Sequence, residues 1–235
     1  TPEEVDFNIL PGWRVEEIAA ALPTSGLQVA PQGFLQLVRT GRDGMAPQTL
    51  GVEGSMEGFL MPGTYRFLRE ARAEDMVKTF TARFDEQVDA DLRGQFIVNG
   101  LDLREAVILA SIVQREAVRE EEQPMIASVF YNRLSVGMSL ESDPTVQYAL
   151  GYNKDQETWW TNPLTTEDLG VDSPYNTYRN AGLPPGPISN PGLSALKAVA
   201  YPAQTPYYYF RAACDKSGRH SFATTYEEHL LNACP

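Results

Sequence analysis

The amino-acid sequence predicts a protein of the α+β class. Helical and strand patterns both occur along the 235 residues, but they do not alternate as regular strand–helix–strand units. The composition is that of a globular protein, since 43% of the residues are hydrophobic and 21% are charged. We therefore expect mixed helices and short strands or hairpins around a sizeable core.

The N-terminal pattern indicates a strand, a turn and a helix. Apolar residues alternate over 5–9, Pro11-Gly12 is typical of a turn, and helical spacing follows from Val15 to Leu22. A looser copy is predicted further on, with its strand at 58–61, the turn Pro62-Gly63, and a helix around Phe80. Duplication and convergence explain the two copies equally well. Residues 40–55, rich in glycine and polar residues, are expected to form a loop.

The third helix is predicted to be the most buried. Asp102-Leu-Arg-Glu105 has the capping-box pattern that begins a helix, and apolar residues then cover most of its circumference. Glu116 continues the apolar stripe, because it lies four residues after Ile112 and seven after Leu109. Partial burial would raise the pKa of this carboxyl group toward ~6. The alternative interpretation is a helix that simply emerges into solvent after Val113.

The second half of the chain combines helices with a long loop and a hairpin. Helices are expected at 124–137, 143–151, 190–200 and from residue 225, and a hairpin is expected over 207–222. Residues 152–192 form a loop long enough to suggest a function. Cys214 and Cys234 are either two buried thiols or a disulfide, and a disulfide would favour an extracytoplasmic protein.

The sequence also argues against several kinds of chemistry. A net charge of -12 does not suit a nucleic-acid or anionic-lipid partner. No metal-binding motif accompanies the two histidines, His220 and His229, and no nucleotide-binding loop or serine elbow is present. We expect no metal and no cofactor. A Cys214–His220 nucleophile pair is conceivable, but no cysteine signature supports it. Acid–base catalysis by a carboxylate remains, with Glu116 as its candidate residue.

Aromatic, amide and hydroxyl side chains cluster in two further segments, Glu141–Tyr148 and Ser173–Tyr178. Such side chains line grooves that bind sugar chains. The structural alternatives are a plain helix N-cap at Asp143 and a well-packed loop in the second segment. The candidate substrate-binding residues are Glu57, Asp143, Thr145, Gln147, Asn176 and Tyr178.

Together these segments resemble the YceG-like (MltG) family of endolytic murein transglycosylases. The matching motifs occur in family order from Glu57 to the C-terminus. They are Glu57–Tyr65, Leu109–Glu116, Ala127–Leu134, Gly137–Tyr148, Tyr175–Tyr178, Gly182–Gly186 and Gly218–Phe222. The resemblance implies that Glu116 is the catalytic acid. The sequence departs from the family at Gln114, where members often have a second glutamate, and at Tyr201, where some have histidine.

The resemblance also implies a reaction and a cellular context. Glu116 would cleave the bond between N-acetylmuramic acid and N-acetylglucosamine in peptidoglycan strands, leave a 1,6-anhydro end, and so terminate strand elongation. The expected partners are the glycan strands and penicillin-binding peptidoglycan synthases. The expected location is the extracytoplasmic face of the bacterial cytoplasmic membrane, reached through an anchor that this sequence lacks. The roles of His220 and Glu57 stay open.

Two alternative functions and a domain division complete the sequence-based expectations. The alternatives are a non-catalytic glycan-binding or scaffold protein, and a muramidase-type hydrolase that uses Asp143 or Glu57 as a second carboxylate. We expect residues 1–52 to form an N-terminal strand–helix segment without a recognisable LysM-like unit, and residues 53–235 to form the catalytic domain.

Overall fold

The structure, a computed structural model, describes residues 3–41 and 54–234. Its helices are α1 (Val15–Ser25), α2 (Pro31–Thr40), α3 (Ala73–Gln87), α4 (Ala90–Val98), α5 (Leu103–Glu116), α6 (Gln123–Ser135), α7 (Asp143–Leu150), α8 (Thr166–Leu169), α9 (Leu193–Ala200) and α10 (Tyr226–Leu231). Its strands are β1 (Glu4–Ile9), β2 (Gly63–Leu68), β3 (Tyr209–Ala212) and β4 (His220–Ala223). The α+β class is confirmed, and most of the loop expected at 40–55 lies outside the described residues.

The first two strands form an antiparallel pair although they are far apart in sequence. Glu4 pairs with Leu68 and Ile9 with Gly63. The second strand therefore follows the Pro62-Gly63 turn, and the prediction of a strand at 58–61 is wrong. That segment is a set of turns, in which Gly58 adopts φ 90° and lies against Pro187. A side chain at Gly58 would be strained by that backbone angle and would overlap the proline ring.

Two apolar clusters form the interior, and α3 contributes to both. The N-terminal cluster includes Phe7, Ile18, Phe34 and Phe80, and it is built by β1, β2, α1, α2 and the first turns of α3. The central cluster includes Phe84, one turn later on the same helix, and surrounds α5. Because residues four apart lie on one helix face, α3 joins the two clusters along a single stripe.

Helix α5 occupies the centre of the second cluster, as its apolar circumference predicts. Its capping box is formed, since the Asp102 side chain accepts from the Glu105 amide and the Glu105 side chain accepts from the Asp102 amide. All eight residues from Ala106 to Val113 are buried. Helices α4, α6, α7 and α9 pack around it. This surrounding structure fixes the direction in which the last turn of α5, which ends at Glu116, leaves the core.

Asn190 connects the N-terminal cluster to the central one through its backbone and its side chain. Its backbone accepts from the Gly12 amide and donates to the Trp13 carbonyl, both at 2.8 Å. Its side-chain oxygen accepts from the amides of Gly58 and Leu60, and its side-chain nitrogen donates to Trp13 and Glu57. Asn190 is fully buried. The division expected at 52/53 stays a prediction, and the bonds of Asn190 to Gly12 and Trp13 and the β1–β2 pair cross it.

The C-terminal region contains the expected hairpin and final helix. Strands β3 and β4 pair antiparallel, and a disulfide between Cys214 and Cys234 links the hairpin turn to the segment after α10. His220 lies on β4, where its Nδ1 is 2.9 Å from Glu122 Oε2. None of the helices within residues 3–41 and 54–234 combines the length and hydrophobicity of a transmembrane span.

Candidate active site

Glu116 is the last residue of α5, and it is partly buried. The helix ends here because Ala117 turns to an extended backbone conformation after donating to the Val113 carbonyl. Burial raises the pKa of Glu116 to about 7, assisted by the negative charge of Asp143. A carboxyl group with this pKa is about half protonated at neutral pH, so it can both give and take a proton. The helix does become partly exposed after Val113, but Glu116 itself stays partly buried.

Ser142 is the direct partner of Glu116. Its hydroxyl donates to Glu116 Oε1 at 2.6 Å, a bond that favours the ionised acid and lowers the pKa against the larger effect of burial. Ser142 is the N-cap residue of α7, yet its side chain makes no bond to the helix amides. A serine at this position usually caps the helix. Here the hydroxyl is directed to the acid instead.

The backbone around Ser142 is held by a buried hydroxyl network. Its amide donates to Thr177 Oγ1, and its carbonyl accepts from the Thr145 hydroxyl at 2.7 Å. The two threonine hydroxyls also contact each other at 2.9 Å. The preceding residue, Glu141, adopts φ 50°, a left-handed conformation that is uncommon for a residue with a side chain. These hydrogen bonds fix the backbone of Ser142. They therefore also fix the position from which its hydroxyl reaches Glu116.

Arg133 holds the same segment from the other side. Its guanidinium group donates to the carbonyls of Ser139 and Leu140 and to the Glu141 carboxylate. Its Nε donates to the Tyr208 carbonyl on the hairpin side. The positive charges of Arg133 and of Arg115 each lower the pKa of Glu116, although burial outweighs them. Desolvation is therefore the largest influence on the pKa of Glu116.

The predicted substrate-binding residues divide into a surface pair and a buried group. Asp143 and Tyr178 are exposed beside Ser142, and the Tyr178 hydroxyl donates to Asp143 at 2.7 Å. Burial and this bond raise the pKa of Tyr178. Thr145 and Asn176 are fully buried, and Asn176 donates to two carbonyls of the 169–171 loop. Asp143 is the first residue of α7 rather than its N-cap.

Gln147 and Glu57 lie in other surroundings. The Gln147 amide donates to the Thr161 carbonyl and is partly buried. Glu57 is 2% exposed, and its carboxyl group accepts from the Val15 amide and from Asn190. Burial raises the pKa of Glu57 to about 8. Its carboxyl group lies at the start of α1, where it occupies an otherwise free helix amide. A contact of either residue with substrate stays a prediction.

Sequence reasoning did not find Ser142, and it left Gln114 without a role. The motif Ser-Asp-Pro could have indicated Ser142, but it reads equally well as a simple helix start. The Gln114 side-chain oxygen accepts from the Gly192 amide, where α9 begins. Gln114 therefore fastens the end of α5 to α9. In the described residues, no three His, Cys, Asp or Glu side chains converge in a way that could hold a metal ion.

The Ser142 contact leads to a first testable expectation. In Ser142→Ala, the ionised form of Glu116 loses a hydrogen bond, so the pKa of Glu116 should rise above its parent value of about 7. One hydrogen bond to a charged group corresponds to about one pKa unit. If proton donation by Glu116 limits turnover, the decline of kcat/KM toward high pH should move upward by about that amount. An unchanged pH profile in a folded variant would contradict the assigned role of Ser142.

The fold and the site define an α+β protein in which a glutamic acid with a raised pKa ends a buried helix. Comparison with known proteins agrees with this class. The YceG-like family model matches residues 1–234. In the crystal structure of the yceG-like protein lmo1499 from Listeria monocytogenes, the matched region has a TM-score of 0.81 and 32% identity, and it covers 96% of this chain and 75% of that chain.

Two curated relatives are named endolytic murein transglycosylase. The protein of Bacillus subtilis strain 168 is 37% identical over 179 residues, which is 76% of this chain and 47% of that protein. The protein of Streptococcus pneumoniae D39 is 31% identical over 182 residues, which is 77% of this chain and 32% of that protein. The chain thus spans less than half the length of these relatives. It belongs to the YceG-like family.

Proposed function

We propose that this chain carries the catalytic site of an endolytic lytic transglycosylase that cleaves peptidoglycan glycan strands. The main support is Glu116, an acid with a pKa of about 7 at the edge of the central apolar cluster, bonded to Ser142 and next to exposed polar groups. The names of the relatives agree with this activity. Catalysis by one carboxyl group requires that the same group donates and then accepts a proton, and a pKa near neutrality suits both steps.

The proposed reaction uses Glu116 twice. The protonated acid donates its proton to the oxygen that links C1 of N-acetylmuramic acid to N-acetylglucosamine, and the C1–O bond breaks. An oxocarbenium-like centre forms at C1. The Glu116 carboxylate then removes the proton of the C6 hydroxyl of the same sugar while O6 bonds to C1. The products are a strand with a 1,6-anhydro end and a strand with a free hydroxyl, and Glu116 is protonated again. No water is consumed.

Ser142 would tune the acid, while Asp143 and Tyr178 are the best placed of the predicted residues to contact sugar. Both are exposed beside the Glu116–Ser142 pair, and both keep hydrogen-bonding capacity beyond their mutual bond. Thr145 and Asn176 would act indirectly, through the network that fixes this segment. Gln147 and Glu57 are weaker candidates for substrate contact, because their polar groups are already engaged.

The second candidate is a hydrolase of the same glycan. The carboxylate of Asp143 lies near enough to Glu116 to raise its pKa, and a second carboxylate of this kind could activate water. The masses of the products distinguish the two reactions. We expect digestion of purified glycan strands to yield fragments whose mass is one water lower than that of hydrolysis products. Fragments of the hydrolysed mass would support the hydrolase, and strands bound but never shortened would support a glycan-binding or scaffold protein.

The cellular context is proposed from the family alone. The enzyme would act outside the cytoplasmic membrane, where peptidoglycan is assembled, and would be held there by an anchor elsewhere in the protein. Cleavage within strands under synthesis would terminate their elongation. Penicillin-binding peptidoglycan synthases would be its partners, because they produce the strands that it cleaves.

A further inference from the structure

Arg115 lies beside the proposed catalytic acid, and within residues 3–41 and 54–234 its guanidinium group makes no hydrogen bond, although the charges of Glu17 and Glu116 raise its pKa. Its guanidinium carbon lies 3.7 Å from the ring centroid of Trp160. Its Nε is buried and makes no hydrogen bond. Across residues 3–41 and 54–234, no hydrogen bond or ion pair engages the Arg115 guanidinium group. Burial lowers the pKa of this arginine, which shows that the charge is held at a cost.

The other buried arginines of this region are paired, which makes Arg115 exceptional. Arg14 is ion-paired with Glu16 and also donates to the Tyr148 carbonyl. Arg133 donates to three carbonyls and to a carboxylate. A partly buried guanidinium group is normally satisfied by such acceptors, because leaving its donors unpaired is costly. The buried and unpaired Nε of Arg115 therefore indicates an acceptor that arrives with a ligand.

The guanidinium group is held in place by contacts that leave its donors free. Trp160 is fixed by a hydrogen bond from its Nε1 to Glu17, so its ring offers a firm surface for stacking. On the other side, Gly12 approaches so closely that a Cβ atom there would lie 3.2 Å from Arg115 Cδ. The Glu17 carboxylate also accepts from the Arg14 amide. A stacked, immobilised guanidinium group loses little further freedom when it binds a planar anion.

We propose that Arg115 binds a carboxylate on the peptide attached to the muramic acid that undergoes cleavage. The proposal rests on the function proposed above and specifies its substrate. Arg115 directly precedes Glu116, and each charge influences the pKa of the other, so both groups lie at the same end of α5. The proposal places C1 of the muramic acid at Glu116 and its O3 substituent against Arg115. That substituent is a lactyl group joined to a peptide. When the second peptide residue is D-glutamate, its α-carboxylate is the first free acid along the peptide, and amidation to D-isoglutamine removes this charge. A guanidinium fork distinguishes the two, since it pairs bidentately with carboxylate.

The binding test compares two small probes that differ only at this group. The γ-methylamides of N-acetylmuramyl-L-alanyl-D-glutamate and of its D-isoglutamine counterpart would each be titrated into the protein by calorimetry. The γ-amide imitates the peptide bond of a longer stem, so the α-carboxylate is the sole carboxylate of the first probe and the second probe has none. We expect the parent to bind the carboxylate probe about 10-fold more tightly, as one charge-assisted pair allows. Arg115→Gln should abolish the preference, and Arg115→Lys, which keeps the charge without the fork, should retain part of it. Lys154→Gln removes an exposed charge on the segment that carries Trp160, and it should leave the preference unchanged.

A cleavage test separates this proposal from the activity itself. Glycan strands that carry D-glutamate or D-isoglutamine would be digested by parent and Arg115→Gln protein. We expect the variant to raise KM about 10-fold for the carboxylate strands and little for the amidated ones. Equal probe binding by the parent, a preference that survives in Arg115→Gln, or an equal loss on both strands would each overturn the proposal. A parent that binds the carboxylate probe preferentially and cleaves neither strand would instead overturn the proposed function.

Discussion

Glu116→Gln is expected to lower glycan cleavage by at least ~10²-fold, the usual contribution of a positioned acid–base group. Glutamine has nearly the same shape as glutamate, and its amide oxygen can still accept the Ser142 hydroxyl hydrogen. It cannot donate a proton to the glycosidic oxygen. Cleavage would be measured as the release of soluble fragments from purified strands. Glu120→Gln, which changes an exposed carboxylate shortly after α5, is the matched control and should cleave at the parent rate.

The same variant should be more stable than the parent at alkaline pH. The folded-state pKa of Glu116 is about 7, above its ordinary value of 4.5, so the native state binds more protons than the unfolded state between these values. Its contribution to stability is therefore present below pH 4.5 and is lost as pH rises through about 7. We expect Glu116→Gln to gain on the order of 1–3 kcal/mol in free energy of unfolding at pH 8. Undiminished cleavage by a folded variant would remove Glu116 from the mechanism.

Asn190→Ala is expected to cause the largest loss of stability, about 3–5 kcal/mol in the free energy of unfolding. Truncation removes the acceptor for the Gly58 and Leu60 amides and the donor to Glu57, all in the buried contact between the two clusters. Each buried polar group left unpaired costs about 1–3 kcal/mol. Urea unfolding of purified protein would measure the change, with Asn180→Ala, at an exposed asparagine that donates to two carbonyls, as the control.

Asn190→Asp tests whether the side-chain oxygen of Asn190, as acceptor, or its side-chain nitrogen, as donor, contributes more to stability. Aspartate keeps an acceptor for Gly58 and Leu60, but it places a second carboxylate against Glu57 in a buried contact. We expect it to destabilise the protein at pH 8 and to be better tolerated at pH 5, where carboxyl groups gain protons more readily. A loss within about 1 kcal/mol for Asn190→Ala would show that the two clusters are held by packing rather than by this residue.

Helix periodicity was sufficient to predict the environment of Glu116. The spacing from Leu109 and Ile112 places the acid on the apolar side of α5, at the end of the helix. The hairpin of β3 and β4 could also be predicted from the sequence, because a turn motif separates two strands of similar length. These features depend on local patterns, which a single sequence contains in full.

Other features depend on contacts between distant segments, and local patterns did not predict them. The Ser142 hydroxyl had an ordinary local explanation as a helix cap, and only the packing of α7 against α5 directs it to Glu116. The strand at Gly63–Leu68 was predicted too early, at 58–61. The reason is that Pro62-Gly63 was interpreted as the turn that follows the strand, whereas it precedes the strand. Helices α2 and α4 were not predicted, because each is short and buries few apolar residues, although Phe34, Leu37 and Val38 of α2 do have helical spacing.

The position of Asn190 late in the sequence determines when the two apolar clusters can be joined during synthesis. Strand β1 leaves the ribosome early and has no partner until β2 has been synthesised. Helix α5 follows, and the residue that bonds the N-terminal turn to the rest comes after it. A nascent chain that already contains Glu116 therefore still lacks the hydrogen bonds of Asn190 that join the two clusters. The contact between the two clusters should consequently form only after residue 190 has been synthesised.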